Sequence, residues 1–153
     1  MPPLNKEINN PTTSSVDVVW NYSKNGNTSI KLNAPKTLFF EGKEPYTEFP
    51  EGVLIYSYEH NGNKDASLRA DYAIQTPKEQ LMKARGNVVL KNAKGEVLET
   101  EFLIWDEEKE KIFTEELVKI TQGRQTIIGE GFESDIYFSE YYIKNTRGII
   151  NLD

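Results

Sequence analysis

Apolar and polar residues alternate along Arg85–Trp105, with a glycine at the centre: Val88 and Leu90 lead to Gly95, and Leu98, Leu103 and Trp105 follow. Side chains on a strand point alternately to two faces, so the stretch predicts a strand, a glycine turn and a second strand. The pattern recurs about thirty residues to either side. Leu68, Leu98 and Ile128 then coincide, as do Tyr72, Phe102 and Phe132; Val88 falls on Val118, and Leu90 on Ile120. Arg147-Gly148-Ile149-Ile150-Asn151-Leu152 repeats the signature of Arg85-Gly86-Asn87-Val88-Val89-Leu90. Gly62, Gly95 and Gly123 recur more loosely as turns. Such self-similarity marks units that stack and bury their apolar faces against one another.

Taken in order, Pro3–Ser15 is polar and reads as a flexible leader or tether, leaving 16–153 as one domain. Val16–Tyr22 predicts a strand, Asn25-Gly26-Asn27 a hairpin turn and Thr28–Leu32 the returning strand. Ala34–Pro50 carries Pro35, Pro45 and Pro50 and predicts a loop with a short strand at Thr37–Phe40. Val53–Glu59 is a strand, followed by a turn at Asn61-Gly62-Asn63. Ser67–Gln75 places Leu68, Ala70, Tyr72 and Ile74 on one face. Thr76-Pro77-Lys78-Glu79 fits a turn better than a helix N-cap. Glu107–Ile120 is rich in helix formers, but Val118 and Ile120 keep the strand phase of Val88 and Leu90, so a strand is predicted. Ile127–Phe132, Asp135–Phe138, Tyr141–Lys144 and Gly148–Leu152 complete the strands. About a dozen short strands with almost no helix predict an all-β sandwich, jelly roll or solenoid, and the repeat favours a stacked form over a closed barrel.

The chain's 153 residues suit one domain, and its net charge of −6 makes nucleic acid or an anionic membrane surface a poor partner. No run approaches the length of a membrane helix, and Met1–Leu4 does not read as a signal peptide. The absence of cysteine removes disulfides, thiolate metal sites and a cysteine nucleophile.

Candidate chemistry is sparse. His60, the single histidine, lies in a turn and reads as solvated. Asp106-Glu107-Glu108 reads as a solvated turn, and Gly129-Glu130-Gly131 as a β-bulge, not a phosphate loop. No catalytic group, metal site or cofactor is expected. Leu68, Val88, Leu90, Leu98, Val118, Ile120 and Ile128 share a phase and predict one apolar wall, which periodicity alone leaves as either a filled core or an open trough.

One resemblance bears on that choice. The run Ala84-x-Gly86-x-Val88-x-Leu90, then Gly95-x-x-Leu98-x-Thr100-x-x-Leu103-x-Trp105-Asp106, resembles the periplasmic LptC proteins of the lipopolysaccharide exporter. Ser67-Leu68-x-Ala70-x-Tyr72-Ala73 and Ile128-Gly129-x-Gly131-Phe132-x-Ser134-Asp135 match the strands before and after it. The resemblance spans roughly Val16–Ile150 and implies an open, twisted antiparallel β-jelly roll of the OstA/LptA-like kind. It implies a non-enzymatic lipid-transfer and scaffold protein whose apolar wall lines a trough for acyl chains. Arg85 and Arg147, equivalent in the repeat, are the candidates for phosphate contacts at the rim of such a trough, against a reading of each as a solvated surface residue. The implied partners are lipopolysaccharide, the jelly-roll domains of the inner-membrane ABC transporter and the periplasmic bridge protein LptA. The implied location is the periplasm, with a membrane tether carried by a segment upstream of Met1. Gly148, Ile149, Ile150 and Leu152, which repeat the signature of Arg85–Leu90, read either as a docking edge or as a frayed terminus. The competing reading is a carbohydrate-binding or structural β-sandwich module, with Trp20, Trp105, Tyr137, Tyr141 and Tyr142 as stacking platforms.

Overall fold

The computed structural model describes residues 11–24, 26–60 and 64–151, and every regular element among them is a β-strand. They are β1 (Thr13–Lys24), β2 (Thr28–Phe40), β3 (Tyr46–Phe49), β4 (Val53–Glu59), β5 (Asp65–Ala70), β6 (Tyr72–Thr76), β7 (Leu81–Asn92), β8 (Val97–Asp106), β9 (Lys111–Gln122), β10 (Gln125–Asp135) and β11 (Tyr141–Asn151). All pairings are antiparallel, in the order β11-β10-β9-β8-β7-β5-β4-β2-β3-β6, with β1 on β2. β6 also pairs with β7, so β7-β5-β4-β2-β3-β6 close on themselves, while β1 and β11 remain edges. The result is an all-β, jelly-roll-like fold.

Long strands pass from one wall of the fold to the other, and they do so at bulges. β5 and β6 both pair with β7, but on opposite sides of a register shift between Arg85 and Val88. Gly86 (φ 84°) and Asn87 (φ 46°) form that bulge. A side chain at Gly86 would be strained at this φ and would press on Asp71 at 3.2 Å. Similar shifts interrupt β8/β9 between Thr100 and Ile104 and β9/β10 between Glu130 and Phe132. The Gly129-Glu130-Gly131 segment is thus a bulged stretch of strand. Each bulge resets which residues face inward, and the two walls enclose one apolar core.

Four local expectations are corrected. β2 does not stop at Leu32 but continues through Pro35 to Phe40, and Tyr46–Phe49 is a strand, not a loop. Proline is tolerated because the β1–β2 ladder skips Asp17 and Pro35, while β4 pairs only up to Asn33 and β3 only from Leu38. The Ser67–Gln75 stretch bends at Asp71, so Ala73 is buried while Tyr72 and Ile74 are not. The third correction concerns Asp135–Phe138, which begins at the last residue of β10 and is otherwise a turn. The Asp135 carbonyl accepts from Phe138 N at 3.1 Å, and its carboxylate accepts from Ser139 N at 2.8 Å. It looked like a strand because Ile136 and Phe138 are both buried; the turn folds them under one end of the core. Finally, Tyr141–Lys144 and Gly148–Leu152 are one strand: β11 runs unbroken from Tyr141 to Asn151, and Leu152 lies outside the described residues.

The helix-rich composition of Glu107–Ile120 yields to the strand phase, with 107–110 as the turn before β9. Thr76–Glu79 enters a turn closed by Gln80 N donating to Pro77 O at 3.2 Å. The predicted turns at Asn25 and at Asn61-Gly62-Asn63 fall on or include residues outside those described.

Candidate functional site: the apolar interior and its two edges

Antiparallel registers place one residue from each strand opposite the next, on the same face. Following them yields a single row across the sheet: Trp20–Leu32–Ile55–Leu68–Leu90–Leu98–Ile120–Ile127–Ile149. It starts on one edge strand and ends on the other. The six residues from Leu32 to Ile120 are between 0 and 6% exposed. A parallel row runs Val88–Thr100–Val118–Gly129.

Six of the seven residues assigned to the apolar wall therefore lie together: Leu68, Val88, Leu90, Leu98, Val118 and Ile120. Ile128 does not join them. It pairs with Lys119 and Gly148, and Ile127 holds the place in the row. The hairpin between β9 and β10 is the reason. Gly123, at φ 60°, and Arg124 form a two-residue turn that sets Gln122 opposite Gln125 and hence Ile120 opposite Ile127. The thirty-residue spacing does not keep phase through such turns and bulges. Tyr72 and Phe102, opposite Arg85, likewise lie outside, although Phe132 is fully buried.

The facing wall was less visible in the sequence. It consists of Phe49–Ala73–Ala84–Leu103 and Met82–Trp105–Ile112–Ser134. The signal was present as period-two alternation in Met82/Ala84 and Leu103/Trp105, offset by the bulges. The walls are in contact. A void of about 10 Å³ remains between them, lined by Ile55, Ser57, Leu68, Leu90, Trp105 and Ile136 among others. In this state the interior is a filled core.

A polar staple pins the bend between β5 and β6 to the bulge of β7. Asp71 N donates to Gly86 O at 2.9 Å. Its carboxylate accepts from Asn87 Nδ2 at 2.7 Å and from Arg69 at 2.5 Å, and Arg69 also donates to Asn87 O at 2.7 Å. The Asn87 and Arg69 hydrogen bonds hold the Asp71 carboxyl below the usual aspartate range. Nearby, burial and a 2.6 Å hydrogen bond to Glu48 push the Tyr72 phenol up to about 12.

The two arginines assigned to the rim are on the outward side. Arg85 lies over the Tyr72 ring at 5.7 Å, and Arg147 pairs with Glu130 at 2.9 Å. Lys111–Glu133 at 2.9 Å and Lys144–Glu115 add to an outer face of cross-strand ion pairs, each of small energetic weight when exposed.

The edge strands also expose apolar residues. β1 carries exposed Val16 and Val19, and β11 carries exposed Ile149 and Ile150, next to the partly buried Gly148. His60 is exposed, with Nε2 2.5 Å from Ser29 Oγ. Among the described residues no group of three or more His, Asp or Glu is placed to hold a metal ion. Asp106 caps its own turn by accepting from Lys109 N at 3.0 Å, and Glu107 accepts from Gln75 at 3.0 Å. Of the five rings considered as sugar platforms only Tyr142 is exposed; Trp105 is buried, and Trp20, Tyr137 and Tyr141 pack against the core.

No helix among the described residues is long and apolar enough to cross a membrane. No curated protein matches the chain. A family model described as "Lipopolysaccharide-assembly, LptC-related" matches residues 5–147, nearly the whole chain. Its members are periplasmic components of lipopolysaccharide transport, not known as enzymes. With its all-β fold and an apolar row running from edge to edge, the chain belongs to the LptC-related family of lipopolysaccharide-assembly proteins.

Proposed function

We propose that this chain is a non-enzymatic carrier in the periplasm. It accepts lipopolysaccharide from an inner-membrane ABC transporter and passes it along a bridge of jelly-roll domains. The observation that carries this reading is the row from Trp20 to Ile149, because it reaches both edge strands. A neighbouring sheet that pairs with an edge extends the row into its own interior, and acyl chains need no partner beyond such an apolar surface. Since the walls touch, chains enter only as the walls part. The staple at Asp71 lies where the walls are joined and acts as the hinge. Phosphates would meet Arg85 and Arg147 only on the outward side. β11, with Gly148, Ile149 and Ile150, is the edge offered to the bridge protein LptA. Tethering to the inner membrane belongs to the same reading.

Photo-reactive residues at Val88, Leu98 or Val118 test the interior. They should form adducts with lipopolysaccharide, and labels at the exposed Lys91 and Glu99 should form few. Equal labelling at all five positions would contradict an interior route.

A further inference from the structure

One polar atom in the interior lacks a partner. Among the described residues, Trp105 Nε1 is the buried side-chain nitrogen or oxygen without a hydrogen bond. Trp105 is 5% exposed, stands in the row Met82–Trp105–Ile112, and walls the void between the two halves of the fold. Buried indole N–H groups ordinarily find an acceptor, so an unpaired one in an apolar core is an exception that asks for a reason. Ser57, 7% exposed, belongs to the same void from the opposite wall. The remaining wall residues are mostly aliphatic.

We propose that the Trp105 indole N–H, with Ser57 across from it, is the polar contact by which the interior recognises its occupant. The indole donates a hydrogen bond to an oxygen atom carried by an acyl chain, either a hydroxyl or an ester or amide carbonyl. This rests on the reading that acyl chains enter between the walls. A plain hydrocarbon chain fills the same space without meeting the donor. The contact therefore distinguishes an oxygenated acyl chain from a simple alkyl chain in a site otherwise indifferent to chemistry. A single trapped water is the alternative occupant. The void of about 10 Å³ is at the lower limit for one, and the water would need two or more polar partners.

The chain has two tryptophans, so its nitrogen-15 spectrum holds two indole signals, which Trp20→Phe assigns. On titration with purified lipopolysaccharide the Trp105 indole proton should move downfield as it gains an acceptor. Dodecyl maltoside, whose chain carries no oxygen, should not produce that shift. Trp105→Phe keeps the ring and removes the donor, and it should weaken lipopolysaccharide binding by about three- to tenfold, the effect of one net hydrogen bond. Ser57→Ala is the milder companion. If lipopolysaccharide binds but the Trp105 signal stays in place, or already sits downfield in lipid-free protein, the inference fails and the carrier reading stands. An equal downfield shift with both probes also overturns it. If lipopolysaccharide does not bind at all, both fail together. The wild-type titration decides even if a variant does not fold.

Discussion

The middle and the end of one row make an instructive pair. Leu98 and Ile149 stand on the same face, linked through Ile120 and Ile127 by unbroken cross-strand pairing. Leu98 is fully buried; Ile149 is 55% exposed. Both side chains are large aliphatics on strands, so neither residue type nor secondary structure explains the difference. What lies across from each one does. Leu98 belongs to the core that the facing wall closes, and Ile149 stands on a strand that has no further neighbour among the described residues. Most soluble proteins blunt such edges with proline, charge, bulges or extreme shortness, and β11 carries Lys144, Arg147 and a bulge against β10 ahead of its apolar Ile149-Ile150 end. β11 is eleven residues long and has no proline.

The comparison predicts unequal costs. Leu98→Ala should lose about 2–5 kcal/mol, since it removes buried methyl groups and leaves a cavity in a packed core. Ile149→Ala should stay within about 0.5 kcal/mol, as exposed substitutions do. Urea unfolding of both variants measures this. Equal losses would mean that the edge is as much part of the core as the centre is.

Proline variants sharpen the edge itself. Ile150 pairs with Thr126 and Ile149 with Ile127. In an antiparallel ladder consecutive N–H groups point to opposite sides. One of Ile149→Pro and Ile150→Pro therefore breaks a bond to β10, and the other removes a donor from the free edge. The variant with the nearly unchanged melting temperature should lose binding to LptA in a pull-down. If neither variant weakens binding, docking uses another edge.

The smallest effect concerns the Asp71 staple. Its folded pKa is depressed, so the stability it contributes is present above the ordinary aspartate range and is lost as pH falls through the depressed folded value. Asp71→Asn should lower the melting temperature modestly at about pH 7, and the gap from wild type should close toward about pH 3. A gap independent of pH would show that the carboxylate's charge does not matter at the hinge.

Much of the fold was legible because strand periodicity is a strong signal where strands are regular. Val53–Glu59 has its predicted limits, and the strand phase of Val118 and Ile120 outweighed the helix formers around them. The misses cluster where the period is interrupted. Adjacent Ile127 and Ile128 offer no pattern to choose between them; only the two-residue turn does. Asp71, Gly86 and Gly131 shift the inward phase, and a single-sequence pattern does not announce a bulge. Ile136 and Phe138 alternate like a strand because a turn can bury apolar residues too. The site was half visible for the same reason. The wall from Leu68 to Ile120 keeps one phase, while Ala84, Leu103 and Trp105 sit beyond the bulges and needed the register to be seen as the opposite wall. That the walls touch was not legible at all, since periodicity describes faces and not the distance between them.

That contact makes the central claim measurable. Spin labels at exposed Lys91, on the wall of Leu90, and at exposed Glu108, in the turn that follows Trp105, report the separation of the two walls by pulsed electron resonance. With lipopolysaccharide bound the distance should grow by about 4 Å or more, the thickness of one packed carbon chain. In Trp105→Phe it should grow less at the same lipid concentration. An unchanged distance in protein shown to carry bound lipid would place the lipid outside and contradict the account.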